Sequence, residues 1–374
     1  MKRYLDKIIE EKRKSVHFNG RKIRFGVLGL HEGRTLLVGL ERTAMCEAIA
    51  GCDLEQHKID EAKLERPHLF YTTKYEEMLA MDEIDVVAIY TPDQYHGAHI
   101  VKAFEAGKDV ICTKPLINSV DDAKSILDAS RKTGRKLLVG QSTRFFEPFR
   151  RQRKAYENGH LGELELVDAH YMHRMDWFYE KSPWAATETD WIFLGLSHPI
   201  DLIRWYLGPI EEVQALGYAS ELGKAYGLTG FDIYAVNLRG TNGRIARALG
   251  HYGLKEMFSV RNCIELFLYG TKNTSMAQYH DMKYQYTVDD GTEVREDPLY
   301  ELRHYHFNSE IHGMHYGEFA NYADYFAEAL IKNTTYSPGI EEGVETFCIM
   351  EAVRQSARIN KPVAVLPLIK EVGL

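Results

Sequence analysis

The sequence predicts an α/β protein in two parts: a doubly wound parallel sheet, followed by an α/β domain with a large open, mainly antiparallel sheet. Up to about residue 145, short β-branched runs alternate with helical stretches that often end at glycine, which is typical of parallel strands covered on both faces. Beyond that point, strands of alternating polarity follow one another through glycine-containing turns, which favours an antiparallel sheet. The chain of 374 residues is long enough for two cores.

The first predicted domain covers residues 23–145, and its alternating elements indicate right-handed crossovers. Its predicted strands lie at 23–29, 45–52, 84–90, 109–112 and 136–139, and its predicted helices at 34–44, 94–107 and 120–133. Residues 1–22 are charged throughout and lack the apolar stretch of a signal peptide, so they predict a helical extension outside this domain.

The second predicted domain covers residues 146–374. Its predicted strands lie at 164–172, 211–218, 231–239, 244–252, 263–269 and 283–287, and its predicted helices at 147–158, 197–207, 316–332 and 341–359. Because an open sheet leaves one face exposed or covered by another subunit, we expect a homo-oligomer joined through this sheet.

Composition excludes several classes of partner. The net charge of −8 gives no general attraction to nucleic acid or anionic lipid, so neither is expected as a partner. No apolar run approaches the roughly 18–20 residues that span a bilayer. The five cysteines are scattered, without a CxxC pair, which favours a reducing cytoplasm over a disulfide framework or a zinc site.

The first strand leads into a glycine-containing turn that reads GVLGLHEGR from Gly26 to Arg34. Dinucleotide-binding turns need glycine for a tight bend and for close approach of the backbone to pyrophosphate at a helix N-terminus. Gly29 holds the first glycine position, whereas His31 and Arg34 stand where later glycines are expected and Gly33 is shifted by one. The alternative is an ordinary strand-to-helix turn with two glycines.

Asp53 follows the second strand directly. In a Rossmann domain, an acidic side chain at this point accepts hydrogen bonds from the adenosine ribose and repels a 2′-phosphate, which favours NAD over NADP. A solvated aspartate at a strand end is the alternative.

Two further motifs follow buried strands, where ligands of open α/β sheets bind. One is Thr91-Pro92 with His96, and the other is Lys114-Pro115. If Lys114 lies beside an oxidised nicotinamide ring, the positive charge of the ring favours the neutral form of the lysine. A neutral lysine is suited to proton transfer with a substrate hydroxyl. A structural salt bridge of Lys114 is the competing explanation.

His198 begins a predicted amphipathic helix, and Asp201 lies one turn further along it. Asp201 could orient the imidazole or cap the helix, and a lone histidine there could equally be a packed core residue. The spacing of the two also suits metal ligands, but no third ligand accompanies them, so we expect no metal.

Together these motifs resemble the Gfo/Idh/MocA oxidoreductase family, which includes glucose–fructose oxidoreductase and inositol dehydrogenase. The resemblance covers nearly the whole chain from residue 23. It is carried by the Gly29 turn, Cys52-Asp53, Asp85–Tyr90, Thr91-Pro92, His96, Ala106-Gly107-Lys108, Lys114-Pro115, Gly140-Gln141, Arg144-Phe145, Gly159–Glu163 and His198–Gly208.

The resemblance implies reversible oxidation of a secondary alcohol on a sugar or polyol by NAD, with Lys114 and His198 as catalytic residues. The residues expected at the cofactor are Gly29, His31, Glu32, Gly33, Arg34, Asp53, Thr91, Pro92, His96, Lys114 and Gln141. Those expected at the substrate are Lys114, Arg144, Tyr171, Trp177, Trp184, Asp190 and His198.

The chain departs from the family pattern at two points. Leu194 stands where the family commonly has an aspartate, four residues before the histidine, and Asp190-Trp191 replaces a glycine pair. Asp190 or Asp176 is expected to supply the missing carboxylate from another direction.

Added aromatic residues are expected to crowd the pocket mouth and to stack on a pyranose or an aglycone, with ordinary packing as the alternative. These residues are Trp177, Phe178, Tyr179, Trp184 and Trp191. Such stacking adds a glycoside to the free sugars and polyols among the expected substrates. The family resemblance further implies oxidation at C3, because some members of the family oxidise that hydroxyl of a glycoside. Two other functions stay open: a redox-neutral enzyme that retains NAD through its cycle, and a sensor protein that has lost catalysis.

Overall fold

The structure, a computed structural model, describes residues 18, 20–256, 264–298, 315 and 317–374. Most of the helical extension predicted over residues 1–22 lies outside these residues. Within the described part of the chain, no helix is long and apolar enough to cross a membrane.

The first domain is built on a six-stranded sheet in which every neighbouring pair is parallel, as the sequence predicts. Its strands are β1 (Ile23–Leu28), β2 (Cys46–Cys52), β3 (Phe70–Thr72), β4 (Val86–Ile89), β5 (Asp109–Thr113) and β6 (Leu137–Gly140). Their order is β3-β2-β1-β4-β5-β6, so the direction of winding reverses between β1 and β4. Ligands of such sheets bind beyond the carboxyl ends of the strands at this reversal.

Helices cover both faces of this sheet. They are α1 (Gly33–Leu40), α2 (Gln56–Glu65), α3 (Tyr75–Leu79), α4 (His96–Glu105) and α5 (Val120–Thr133). The bounds of α5 match the prediction because both ends are encoded locally. Ser119 accepts a hydrogen bond from the Asp122 amide at 3.1 Å, and Gly134 closes the helix in the left-handed conformation.

The second domain contains a nine-stranded mixed sheet, in the order β14-β13-β12-β11-β7-β10-β9-β8-β15. The pair β7–β10 is parallel and the other pairs are antiparallel, which confirms the predicted open, mainly antiparallel sheet. The strands are β7 (Leu164–Met172), β8 (Ile210–Tyr218), β9 (Ile233–Gly240), β10 (Ile245–His251), β11 (Ile264–Gly270), β12 (Thr274–Gln278), β13 (Lys283–Thr287), β14 (Glu293–Glu296) and β15 (Val363–Ala364).

The remaining helices are α6 (Glu147–Glu157), α7 (Asp176–Lys181), α8 (Trp191–Leu194), α9 (Ser197–Leu207), α10 (Glu221–Ala225), α11 (Glu318–Lys332), α12 (Ile340–Ile359) and α13 (Leu366–Val372). One face of the nine-stranded sheet packs on helices, and Ser356 of α12 accepts a hydrogen bond from the Ala215 amide at 2.9 Å. The other face exposes large apolar side chains, with Leu216 62%, Tyr218 59% and Ile245 54% accessible.

The chain returns to the first domain near its C-terminus, which differs from the predicted boundary at residue 145. Phe319, Tyr322 and Phe326 of α11 are buried in the same apolar cluster as Leu36 and Leu40 of α1. The apolar side of α11 therefore completes the core of the first domain.

Candidate active site

Two glycines shape the turn between β1 and α1. Gly29 has a φ of +88°, and a Cβ there would lie 2.6 Å from the Tyr90 carbonyl oxygen. A Cβ on Gly33 would lie 2.6 Å from Val27 Cγ1, so this residue lets α1 approach β1 closely. In a dinucleotide fingerprint, the third glycine allows close packing of the helix on the strand. Gly33 has this role here, one position earlier in the sequence.

Asp53 faces this turn from the end of β2. Its Oδ2 accepts a hydrogen bond from the Leu30 amide at 2.7 Å, and its Oδ1 accepts one from the Glu55 amide at 2.9 Å. The carboxylate is therefore held beside the turn, where a ribose would bind. The turn leaves no space for a side chain at Gly29, so its backbone can approach a ligand closely. The turn and the Asp53 carboxylate together fit the pyrophosphate and the adenosine ribose of NAD.

His31 and Arg34 occupy the other two glycine positions of the fingerprint. His31 is half-buried, and its charge acts on Glu55 near the end of β2. Arg34 instead turns toward α2, where it forms ion pairs with Glu61 at 2.7 Å and with Glu65. Arg34 was predicted at the cofactor, but its ion pairs connect α1 to α2.

The motif after β4 connects two neighbouring loops. The His96 ring lies 2.7 Å from the Thr91 carbonyl and 2.8 Å from the Pro115 carbonyl. Thr91 Oγ1 lies 3.0 Å from His99 Nδ1, and Pro92 precedes a short 3₁₀ turn. Both sides of the buried His96 ring are engaged by the backbone, so it positions the loop that carries Lys114.

Gln141 lies beside Lys114, because Thr113 pairs with Gly140 in the β5–β6 register. Its side chain is buried, and its Oε1 has no hydrogen-bond partner in the part of the chain that the structure describes. Buried acceptors are usually hydrogen-bonded, so a donor group of a ligand could bind to this oxygen. This is consistent with the predicted position of Gln141 at the cofactor.

Lys114 extends from the end of β5 to the second domain. Its Nζ donates a hydrogen bond to the Leu194 carbonyl oxygen at 2.8 Å, and the Ser197 hydroxyl lies 3.4 Å from the same oxygen. Burial lowers the pKa of Lys114, while the negative charges of Glu32 and Asp93 act in the opposite direction. The predicted salt-bridge alternative is wrong, since the direct partner is a neutral carbonyl.

His198 lies in the first turn of α9, close enough for the Lys114 charge to act on it. Burial, together with the charges of Lys114 and His315, holds the pKa of His198 well below its usual value. Its buried Nδ1 has no hydrogen-bond partner among the described residues, and its ring packs edge-on against Tyr171 at 5.7 Å. The structure therefore brings Lys114, His198 and Tyr171 together.

The carboxylates whose charges act on Lys114 come from the first domain, and the expectation of Asp190 or Asp176 is wrong. Asp190 caps α8 through the Ile192 amide and accepts a hydrogen bond from Tyr234. Asp176 is paired with Arg174. Glu32, from the glycine turn, and Asp93, from the loop after β4, are the acids that act on Lys114.

The predicted roles of Arg144 and Asp201 are also corrected. The Arg144 guanidinium forms two hydrogen bonds with the Asp201 carboxylate, at 2.7 and 2.8 Å, and a third with Ser337 at 3.0 Å. Both side chains are buried, and Arg144 stacks over Trp205. Asp201 thus anchors α9 through Arg144 rather than orienting the His198 ring, and Arg144 is committed to this pair rather than to a substrate.

The aromatic residues that were predicted at the pocket mouth differ in how deeply they are buried. Trp191 is buried, stacks on Tyr252 at 4.8 Å and donates to the Tyr179 hydroxyl at 2.5 Å, so it is a core residue. Trp184 is half-buried and packs against Phe178. Trp177 is the member of this set that remains 40% exposed.

Two cationic residues of the site were missed from the sequence, Lys181 at the end of α7 and His315 just before α11. His315 lies 3.8 Å from Glu32 and forms an ion pair with Glu318. These carboxylates outweigh the effect of burial and raise the pKa of His315 to about 10. No local sequence pattern predicts a role for His315, because its partner Glu32 lies far away in the sequence, in the first turn of the first domain.

A dinucleotide turn near a half-buried lysine and a buried histidine is the arrangement expected of a two-domain, nicotinamide-dependent oxidoreductase. The chain belongs to the Gfo/Idh/MocA oxidoreductase family. The model of the family's NAD-binding Rossmann fold matches residues 23–141, and that of its C-terminal α/β domain matches residues 153–365. The cofactor of the protein is accordingly NAD.

Characterised relatives are distant. A 1-carboxy-3-chloro-3,4-dihydroxycyclohexa-1,5-diene dehydrogenase of Comamonas testosteroni is 27% identical over 189 residues, which cover 49% of this chain and 47% of that protein. The inositol 2-dehydrogenase of Salmonella typhimurium is 25% identical over 189 residues, 50% of this chain and 53% of that enzyme. The chain thus spans about half the length of these two relatives.

The fold extends over whole solved structures. Levoglucosan dehydrogenase in complex with NADH and levoglucosan superposes with a TM-score of 0.79 and 19% identity, covering 92% of this chain and 99% of that one. At this identity the likeness establishes the shared fold.

Proposed function

We propose that the protein oxidises a secondary hydroxyl of a sugar, polyol or glycoside to a ketone, with NAD as the hydride acceptor. The observation that supports the proposal is the hydrogen bond of Lys114, from the end of β5, to the Leu194 carbonyl four residues before His198, together with the effect of the Lys114 charge on that imidazole. Lys114 and His198 are the two side chains that the family resemblance assigns to catalysis. His198 is buried, and Lys114 is half-buried.

The buried histidine is suited to accept the hydroxyl proton. Because its pKa lies well below the usual value, the imidazole is neutral at physiological pH and keeps a lone pair for a proton. Lys114, fixed by the Leu194 carbonyl, orients the hydroxyl and shares the proton with His198. When bound, NAD supplies the acceptor for the hydride that leaves the same carbon.

A hydroxyl-rich, ring-shaped substrate is supported by the side chains around this pair. Tyr171 packs against His198, and Trp177 in the second domain presents an exposed ring. Aromatic faces stack on the apolar faces of sugar rings. The names of the relatives, an inositol dehydrogenase and a levoglucosan dehydrogenase, point to the same class of compound.

A substrate screen tests this proposal. The purified protein is incubated with NAD and a panel of free sugars, inositols and aromatic glycosides, and absorbance at 340 nm is followed. We expect NADH to form with at least one member, and the 3-keto product of a glycoside to mark the C3 alternative. Product without net NADH would assign the redox-neutral cycle instead. Binding of every panel member without any product would overturn the proposal.

We also propose that the outer face of the nine-stranded sheet joins copies of the chain. Its exposed Leu216, Tyr218 and Ile245 form the kind of apolar surface that subunits bury. Sedimentation of the native protein and of Leu216→Asp tests this, with dissociation of the variant as the expected result. A native protein that sediments as a monomer would contradict it.

A further inference from the structure

Two loops of the first domain contact the same short segment of the second domain. The segment covers residues 188–194 and ends with the one-turn helix α8. At its end, the Leu194 carbonyl oxygen accepts the hydrogen bond of Lys114, which belongs to the loop after β5. Near its start, the Thr189 hydroxyl donates a hydrogen bond to the carboxylate of Asp93, in the loop after β4, at 2.6 Å. The first domain therefore holds the segment at both ends.

The contact between Asp93 and Thr189 is shielded from water. Asp93 is 2% exposed, and Thr189 is half-buried. A hydrogen bond to a charged group contributes more than one between neutral groups. A second hydrogen bond lies beside it at the surface, where Gln94 Nε2 donates to the Glu188 carboxylate at 2.9 Å. Two neighbouring residues of one loop thus fix the start of the segment.

The segment is short and bonded to itself. Asp190 caps α8 by accepting a hydrogen bond from the Ile192 amide at 3.1 Å. The Asp190 backbone oxygen accepts two more, from the Phe193 amide at 2.9 Å and the Leu194 amide at 3.1 Å. The four residues of α8 are all buried, and close packing resists a shift of one part of such a helix relative to the rest. A displacement at Thr189 is therefore passed on to the Leu194 carbonyl.

The two loops of the first domain are also joined to each other. The strands before them, β4 and β5, are parallel neighbours, so their carboxyl ends lie side by side. The His96 ring lies 2.7 Å from the Thr91 carbonyl of one loop and 2.8 Å from the Pro115 carbonyl of the other. The contacts therefore form a closed ring, which leads from the loop after β4 through α8 to Lys114 and returns through His96.

We propose that Asp93 is a positioning residue of the site: through Thr189 it fixes α8, and thereby the Leu194 carbonyl that holds the Lys114 ammonium group. The family commonly has an aspartate at position 194 itself, whereas here a buried carboxylate acts from the other end of the same segment. This role rests on the proposed function, in which Lys114 takes part in proton transfer. The dependence of Lys114 on the hydrogen bond between Asp93 and Thr189 is measurable without any substrate.

Limited acetylation with acetic anhydride, followed by mass spectrometry, measures how often the Lys114 amine leaves the Leu194 carbonyl. Thr189→Val matches threonine in shape but has no hydroxyl, so α8 should move away from Lys114 more often. The acetylation rate of Lys114 should then rise about tenfold, since a hydrogen bond to a charged group is lost. Thr189→Ser keeps the hydroxyl and should restore the native rate. Lys108 is the internal reference, because it donates to the Met81 carbonyl within the first domain and should react as before.

Two further variants show whether the effect belongs to this hydrogen bond. Thr346→Val is the matched control, because Thr346 is a buried threonine of the second domain whose hydroxyl donates to the Glu342 carbonyl of its own helix at 2.9 Å. It should leave the acetylation of Lys114 unchanged. In a protein that already carries Asp93→Ala, Thr189→Val should add no further increase, because the same hydrogen bond is then already missing.

Circular dichroism verifies that each variant is folded. An unchanged Lys114 rate in Thr189→Val would overturn the proposal, and so would equal increases for Lys114 and Lys108, which would indicate general loosening of the protein. A full further increase in the Asp93→Ala background would show that Thr189 acts without Asp93 and would also overturn it. A substrate screen without product would contradict the proposed function alone, because acetylation needs no turnover.

Discussion

Lys114 donates a hydrogen bond from Nζ to the carbonyl oxygen of Leu194 at 2.8 Å, across the cleft between the domains. Leu194 is the residue at which the family pattern commonly has an aspartate. A backbone oxygen therefore positions the ammonium group here, and the negative charges that favour its protonated form come from Glu32 and Asp93 instead. The Lys114 ammonium group is thus held in place without a carboxylate at position 194.

Replacing Lys114 by methionine should lower kcat by about 10²- to 10⁴-fold, the usual contribution of a positioned proton-transfer group. NAD affinity, measured by calorimetry, should change little. Lys108→Met is the matched control, because Lys108 likewise donates a hydrogen bond to a backbone carbonyl, that of Met81 at 2.7 Å. Full turnover by Lys114→Met would remove this residue from the mechanism.

The pH profile should lack the inflection of an ordinary histidine. Because the pKa of His198 lies well below 6.5, the imidazole stays neutral down to acidic pH, and kcat/KM should not fall as the pH drops through 6.5. Burial also lowers the pKa of Lys114, so the alkaline limb should begin below 10.5. An inflection near pH 6.5 that disappears in His198→Asn would contradict this picture.

Removal of Arg144 should be felt in stability rather than in substrate affinity. Arg144→Met leaves Asp201 as a buried, unpaired carboxylate and should cost about 3–5 kcal/mol of unfolding free energy, measured with denaturant. The double variant with Asp201→Asn should lose less than the sum of the two single losses, because the same pair is broken in each. A stable Arg144→Met protein with a strongly raised KM would instead restore the substrate role.

His315 should make the stability of the protein depend on alkaline pH. Its pKa is raised from 6.5 to about 10 in the folded protein, so its stabilising contribution is complete below pH 6.5 and is lost as the pH rises to about 10. Unfolding by denaturant at pH 6, 8 and 10 should show this loss in the native protein and a flatter dependence in His315→Gln. Parallel curves for the two proteins would argue against a charged His315.

The two tryptophans should respond in different ways. Trp191 is buried against Tyr252 and Tyr179, so Trp191→Ala should lower the unfolding free energy by about 3–5 kcal/mol. Trp177 is 40% exposed, so Trp177→Ala should leave stability nearly unchanged and raise KM for the best substrate several-fold. Equal KM values for Trp177→Ala and the native enzyme would place the substrate elsewhere.

The sequence predicts those features that depend on short stretches of chain. Helix α5 has its cap and its terminating glycine in place, and Asp53 and Lys114 follow buried strands whose carboxyl ends meet at one edge. The sequence does not predict which distant residue a side chain will pair with. Arg144 and Asp201 lie 57 positions apart, and neither residue's neighbours indicate that the two will form a pair.

The short strands β3, β14 and β15, with two to four residues each, also escape prediction. Segments of that length hold too few residues to show a period, and they form because a longer neighbouring strand offers its edge. His315 escapes for a similar reason, since the surrounding fold rather than a local motif brings it to Glu32 of the glycine turn.

In the first domain, α11 from the late part of the chain packs against α1 from its early part. Ala320 approaches so closely that a Cβ on Gly39 would lie 3.2 Å from its own Cβ, and Tyr322 contacts Tyr90 through the two hydroxyls. A fragment that stops at residue 145 would leave Leu36 and Leu40 uncovered and would be prone to aggregate. We therefore expect a dissected nucleotide-binding half to be insoluble, and cofactor binding to need the segment that contains α11.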